Sequence, residues 1–115
     1  MTASSSVRMR GLQVVIILLT IATALIHLWL GLGGPGLDIM FTLNGLGYLT
    51  LAVVGYVPLA PLAKYQTLAR WALVAFTAVT IIGWVLIGQR IALGYITKVI
   101  EVVLIILVVL DLRKK

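Results

Sequence analysis

Ile91-Ala92-Leu93-Gly94-Tyr95-Ile96-Thr97-Lys98-Val99-Ile100-Glu101-Val102-Val103-Leu104-Ile105-Ile106-Leu107-Val108-Val109-Leu110 is an apolar run in which Lys98 and Glu101 are the only charges. As a helix rising about 1.5 Å per residue, it reaches across the roughly 30 Å of a bilayer's hydrocarbon. Lys98 then lies about two turns in from one end and Glu101 near the middle. A charge at that depth costs roughly 2.5–3.5 kcal/mol on insertion scales, so neither side chain can face lipid uncompensated. The helix must turn them toward a bundle or a partner protein.

Three more apolar runs precede it, at 12–30, 38–57 and 71–87. With 63% hydrophobic and 10% charged residues and a mean hydropathy of +1.22, the 115-residue chain lies far from the composition of soluble domains. These features predict an all-α protein, a four-helix transmembrane bundle occupying residues 12–112. Gly31-Leu32-Gly33-Gly34-Pro35-Gly36 and Gly88-Gln89-Arg90 are short links, so spans 1 and 2, and spans 3 and 4, pair as two antiparallel hairpins. Asp38 stands where a carboxylate favours a helix N-terminus, and Pro58 and Pro61 close span 2. Between Pro58 and Arg70, Leu62, Tyr65 and Leu68 have the spacing of one helical face, which predicts an interfacial helix with Pro61 in its first turn. Residues 1–11 read as a short disordered leader, and Asp111 to Lys115 as an ending in water with a basic tail at 113–115. Arg8 and Arg10 before an apolar run imitate a signal peptide. Leu12 to Leu30 is too long for one, however, and Gly31 to Gly34 is no Ala-x-Ala cleavage site.

The net charge of +6 speaks of orientation. Four spans put both termini on one side, which then holds Arg8, Arg10, Lys64, Arg70, Arg113, Lys114 and Lys115, against Arg90 alone on the other. By the positive-inside rule both termini are cytoplasmic, in the cell membrane. Basic residues distributed over span ends form no patch for nucleic acid. Trp29 and Tyr95 mark the outer interface, Tyr56 and Trp71 the inner one. The chain has no cysteine, which removes disulfides, thiol redox chemistry and thiolate metal sites.

Helical spacing places Gly94, Lys98, Glu101 and Ile105 along one face of span 4, with Tyr95 beside them. Span 1 offers Thr20, Thr23 and His27; span 2 offers Asn44, Tyr48, Ala52 and Gly55 with Gly45 adjacent; span 3 offers Thr77, Thr80 and Trp84 with Gly83 adjacent. Small residues permit close approach, and polar groups hydrogen-bond across it. By depth, His27, Asn44, Tyr48, Trp84, Tyr95, Lys98 and Glu101 form the candidate site. This is a polar cluster in the outer half, open or nearly open to the outside, above an inner half that is aliphatic from Val102 to Leu110. Lys98 and Glu101 are either an intrahelical ion pair supplemented by Tyr48 or Asn44, a site for an ionic group or a proton, or a contact for a partner protein. His27, the single histidine, is either a hydrogen-bonded packing residue, a proton relay with Glu101, or an axial ligand to haem or chlorophyll. Asn44-Gly45-Leu46-Gly47-Tyr48 is either tight packing against span 1 or 4 or a locally unwound ligand site. Gly47-Tyr48-Leu49-Thr50 echoes Gly94-Tyr95-Ile96-Thr97, as a duplicated hairpin would.

The sequence has no phosphate loop, dinucleotide fingerprint, zinc-protease helix or nucleophile elbow. Its three carboxylates and one imidazole are few for a membrane enzyme, so the expectation is no enzymatic activity, no metal site and no required cofactor. The pattern His27-Leu28-Trp29-Leu30-Gly31, then Asn44-Gly45-Leu46-Gly47-Tyr48, then Gly94-Tyr95-Ile96-Thr97-Lys98 with Glu101 resembles a family of small four-span prokaryotic membrane proteins. The resemblance covers most of the chain and brings no activity with it. Small multidrug exporters are similar in size, but their essential glutamate is in the first span, where this chain has no carboxylate. The leading expectation is a small accessory or structural subunit of a larger membrane assembly, respiratory or photosynthetic, or of its own oligomer. The competing one is a small-solute, ion or proton carrier using Glu101, Lys98 and His27. Pigment or haem binding through His27 is third.

Overall fold

The computed structural model describes residues 11–33, 38–87 and 91–113. Arg8, Arg10, Pro35, Arg90, Lys114 and Lys115, on which the leader, link and tail readings rest, lie outside the described residues. Among the described residues there are four α-helices: α1 Gly11–Leu32, α2 Ile39–Tyr56, α3 Gln66–Ile87 and α4 Ala92–Arg113. Each is long and apolar enough to cross a membrane. A 3₁₀ segment, Ala60–Tyr65, precedes α3.

The ends of these helices follow from local chemistry. Asp38 caps α2, its carboxylate accepting from the Phe41 amide at 3.1 Å, so one of the orphan N–H groups of the first turn is satisfied. The Asp38 amide in turn donates to the Gly31 carbonyl at 2.8 Å, tying the start of α2 to the end of α1. At the other end of α2, Pro58 forces the preceding Val57 out of helical geometry, to φ −75 and ψ 125. Pro61 then enters the first turn of the 3₁₀ segment. The interfacial helix expected between Pro58 and Arg70 is therefore a 3₁₀ turn, and α3 begins at Gln66 rather than near Trp71. Gln66 Nε2 donates to the Val57 carbonyl at 2.7 Å and Arg70 Nε to the Gly55 carbonyl at 2.8 Å. These two side chains, from the first turns of α3, satisfy carbonyls that the end of α2 leaves without helical partners.

The helices form a ring in which α1 packs on α2 and α4, and α3 packs on α2 and α4; among the described residues the diagonal pairs share no backbone approach. Buried positions recur at intervals of three and four: Ile16, Thr20, Thr23 and His27 on α1, Gly45, Tyr48, Ala52 and Gly55 on α2, and Thr97, Glu101, Leu104, Val108 and Asp111 on α4. That spacing is the seam of helices packing at shallow crossing angles. It shifts the α4 stripe from the expected Gly94, Lys98, Glu101 and Ile105. Glu101 is common to both, but Gly94, Lys98 and Ile105 lie at the edge, half-buried.

Glycine governs the closest approach. A Cβ on Gly45 would stand 2.7 Å from Leu28 Cγ and 2.8 Å from the Ala24 carbonyl oxygen, and one on Gly47 would meet the Phe76 ring at 2.6 Å. The Asn44–Tyr48 stretch is thus tight packing within an unbroken helix, against α1 and α3, with no unwound segment. The internal echo fails in space, because Tyr48 is buried where Tyr95 is 51% exposed, and Thr50 is exposed where Thr97 is buried.

Overpacking at Gly45 has no outlet because the nearest atoms include backbone. Gly45→Ala is expected to destabilise the bundle by about 1–3 kcal/mol. At Gly83 an added Cβ would meet nothing within 4 Å, and Gly83→Ala is expected to gain roughly 0.5–1 kcal/mol. Unfolding in detergent followed by circular dichroism distinguishes the two.

Candidate functional site: a buried carboxylate held by three helices

Glu101 stands nine residues into α4, roughly 14 Å along it, and its side chain is fully buried. Charge at that depth is tolerable only with partners, and the carboxylate has them on both oxygens. Oε1 accepts from Lys98 Nζ, one turn earlier on the same helix. Oε2 accepts from Thr23 Oγ1 of α1 at 2.8 Å and from Tyr48 Oη of α2 at 3.3 Å. His27 Nε2 of α1 faces the same Oε2 from 3.8 Å. Tyr48 reaches across the ring of helices, so this hydroxyl joins a diagonal that the backbones leave open.

The imidazole's tautomer follows from its second nitrogen. His27 Nδ1 lies 2.7 Å from the Thr23 carbonyl oxygen, and a carbonyl can only accept, so Nδ1 carries a proton. The ring is enclosed by Phe41 at 6.0 Å and Tyr48 at 5.7 Å between centroids. Tyr48 is itself fixed edge-on to Phe76 at 4.8 Å. A haem or chlorophyll needs a ring nitrogen directed at an open metal face. Here Nε2 is directed at a carboxylate within a 4%-exposed residue, so His27 does not fit an axial ligand. Among the described residues no group of three histidine, cysteine or acidic side chains could hold a metal ion.

The seven candidate residues do not all meet. His27, Tyr48, Lys98 and Glu101 converge, with Thr23 as a fifth member. Asn44 is turned aside to α3, its Nδ2 donating to Thr80 Oγ1 at 3.1 Å, and it does not support the Lys98–Glu101 pair. Trp84 and Tyr95 stack edge-on at 5.1 Å on the outer surface. With Lys98, Val99, Val102 and Val103 they line a shallow apolar groove. Lys98 is the link between groove and interior, since its side chain is 11% exposed while bonding Glu101. The cluster is therefore nearly closed. The remaining buried threonines have simpler roles, because Thr20, Thr77 and Thr97 donate to carbonyls one turn earlier in their own helices.

The half of the bundle expected to be aliphatic is not wholly apolar. Asp111, expected in water, has a fully buried side chain. It accepts from Gln13 Nε2 of α1 at 3.3 and 3.4 Å and from Arg70 Nη1 of α3 at 3.4 Å. Arg70 stacks over the Tyr56 ring at 4.5 Å, and Tyr56 is 2% exposed, which removes it from the interfacial aromatics. Trp29, Tyr95 and Trp71 are each at least half exposed. Sequence reasoning missed this second network although the signal was present: the three-four spacing through Glu101 continues by Leu104 and Val108 to Asp111.

No family model, no curated protein and no solved structure matches the chain. The energetic role of the Asp111 network is therefore tested on the chain itself. Arg70→Leu takes one cation from a buried carboxylate and one donor from the Gly55 carbonyl, and is expected to cost about 2–4 kcal/mol. Arg70→Leu combined with Asp111→Leu is expected to restore part of that loss, since apolar packing replaces a buried pair at little cost while the Gly55 carbonyl stays without its Arg70 donor. Denaturant unfolding of the unmodified protein and the two variants in detergent gives the comparison.

Proposed function

We propose that the chain is a small, non-catalytic subunit of a membrane assembly, either a larger complex such as a respiratory or photosynthetic one or its own oligomer. In this reading it belongs with small four-span prokaryotic membrane proteins, as two antiparallel hairpins in the cell membrane with both termini cytoplasmic. The packing of Gly45 against Ala24 and Leu28 supports the first hairpin, and the contacts of Trp84 with Tyr95 and of Arg70 with Asp111 support the second. The excess of basic residues on one side supports the orientation.

The observation that carries the subunit reading is that the partners of Glu101 are internal. Both oxygens are engaged by groups of the same chain, so the polar interior acts as an internal fastening and presents no vacant position to a solute. What faces outward is apolar. On α3, the least covered of the four spans, Val79, Ile82, Val85, Leu86 and Ile87 are all more than half exposed. Such a surface suits lipid and neighbouring transmembrane helices alike, and association between helices in a membrane comes from packing.

A second reading, a small-solute, ion or proton carrier using Glu101, Lys98 and His27, is favoured by one feature. Lys98 connects the buried carboxylate to the groove at Trp84 and Tyr95. The two readings differ in what the protein does when purified. The subunit reading expects it to leave native membranes in mild detergent as a complex, identified by native electrophoresis and mass spectrometry, and a lone monomer would overturn it. The carrier reading expects proton-linked flux in proteoliposomes that Glu101→Gln abolishes while helicity persists.

A further inference from the structure

The orientation of His27 leaves one mismatched contact in the network. Nδ1 donates to the Thr23 carbonyl at 2.7 Å, so in a neutral imidazole Nε2 is an acceptor. It faces Glu101 Oε2, also an acceptor, at 3.8 Å, too far for a hydrogen bond. Every other neighbour of that oxygen, Thr23 Oγ1 and Tyr48 Oη, brings a proton to it. Two lone pairs confront each other at one point in an otherwise matched site, within a layer where an added positive charge has a carboxylate beside it.

We infer that His27 and Glu101 form a proton-binding site of the membrane interior, with the proton taken up on His27 Nε2. A hydronium ion gives its proton to Nε2 and departs as water, and no other bond is made or broken. The imidazolium then donates toward Oε2, and the gap closes to a charge-assisted hydrogen bond. Lys98 and Glu101 balance each other before uptake, and the site carries one net positive charge after it.

The surroundings make this position selective. The titratable groups that face the site are His27 from α1, Tyr48 from α2, which donates to Glu101, and Lys98 and Glu101 from α4. The α3 side contributes Phe76 against Tyr48, and the one titratable side chain of that helix, Arg70, is at the far end with Asp111. Lys98 competes with the imidazolium for the same carboxylate. Proton uptake therefore loosens the hold of Glu101 on Lys98, whose partly exposed side chain already borders the outer groove. One cation replaces another as the principal partner of a single carboxylate, which couples the proton to the position of Lys98. The inference holds whether the protein is a subunit or a carrier, because it concerns the proton alone.

The chain contains one histidine, so nitrogen NMR of histidine-labelled protein in lipid bilayers reports this site without overlap. The expected result is a neutral Nδ1–H imidazole at about pH 9 that gains a proton at Nε2 as the pH is lowered toward about 4. In Glu101→Gln the imidazolium fraction at a given pH is expected to fall at least about tenfold. In Lys98→Gln, with the competing cation removed, it is expected to rise. An Nε2 that stays unprotonated to about pH 4 in the unmodified protein, or imidazolium fractions unchanged by both substitutions, overturns the inference. The unmodified protein alone decides the first point if Glu101→Gln does not fold. Neither measurement depends on a partner or on flux, so failure here is distinguishable from failure of the subunit or carrier readings.

Discussion

A carboxylate in the middle of an apolar bundle is the constraint around which this protein is arranged. Glu101 cannot be left without donors at that depth, and no single neighbouring helix supplies enough. Thr23 and His27 must come from α1, Tyr48 from α2 and Lys98 from its own helix. Meeting these demands together sets the rotation of three helices about their axes. The same side chains placed a few ångströms apart would leave a buried charge unpaired, which costs far more than the pair contributes. The network therefore specifies one arrangement more than it stabilises the bundle, since apolar packing alone would tolerate several rotations.

Asp111 repeats the arrangement one layer away. Ten residues along α4, roughly 15 Å, it gathers Gln13 from α1 and Arg70 from α3, and Arg70 in turn lies on Tyr56 and binds the end of α2. Between the two carboxylates lies an apolar layer that includes Leu104, Val108, Leu73 and Ile16. Glu101 thus ties three helices at one depth and Asp111 ties all four at the other, with close van der Waals packing between. Gly45 and Gly47 make that layering possible on α2, because the neighbouring helices approach where any side chain would stand.

The candidate site was legible in part, and the misses share one cause. Glu101, Lys98, His27 and Tyr48 were recognisable because polar groups are costly in an apolar run wherever they point. Asn44, Trp84 and Tyr95 were grouped with them by depth, yet depth fixes only one coordinate; rotation sends Asn44 toward Thr80 and Tyr95 to the surface. Asp111 was read as part of an aqueous ending because it lies among Leu112, Arg113, Lys114 and Lys115. Its burial depends on Gln13 and Arg70, which are 98 and 41 residues away in sequence. Nothing local to the C-terminus reveals that those two residues converge there.

The four helices, the cap at Asp38 and the stop at Pro58 are legible along the chain, because hydropathy, capping and proline geometry act within a few residues; the start of α3 at Gln66 is not. The sequence by itself also determined that a charged group had to lie inside, since composition alone sets the cost of exposing it to lipid. Only the tertiary structure decided which polar groups share that interior. Along α4, Glu101 belongs equally to a stripe with Lys98 and Ile105 and to one with Leu104, Val108 and Asp111. Helical spacing permits both, and they differ only in rotation. The choice between them was made by the donors of the other helices, whose positions are a property of the packed bundle.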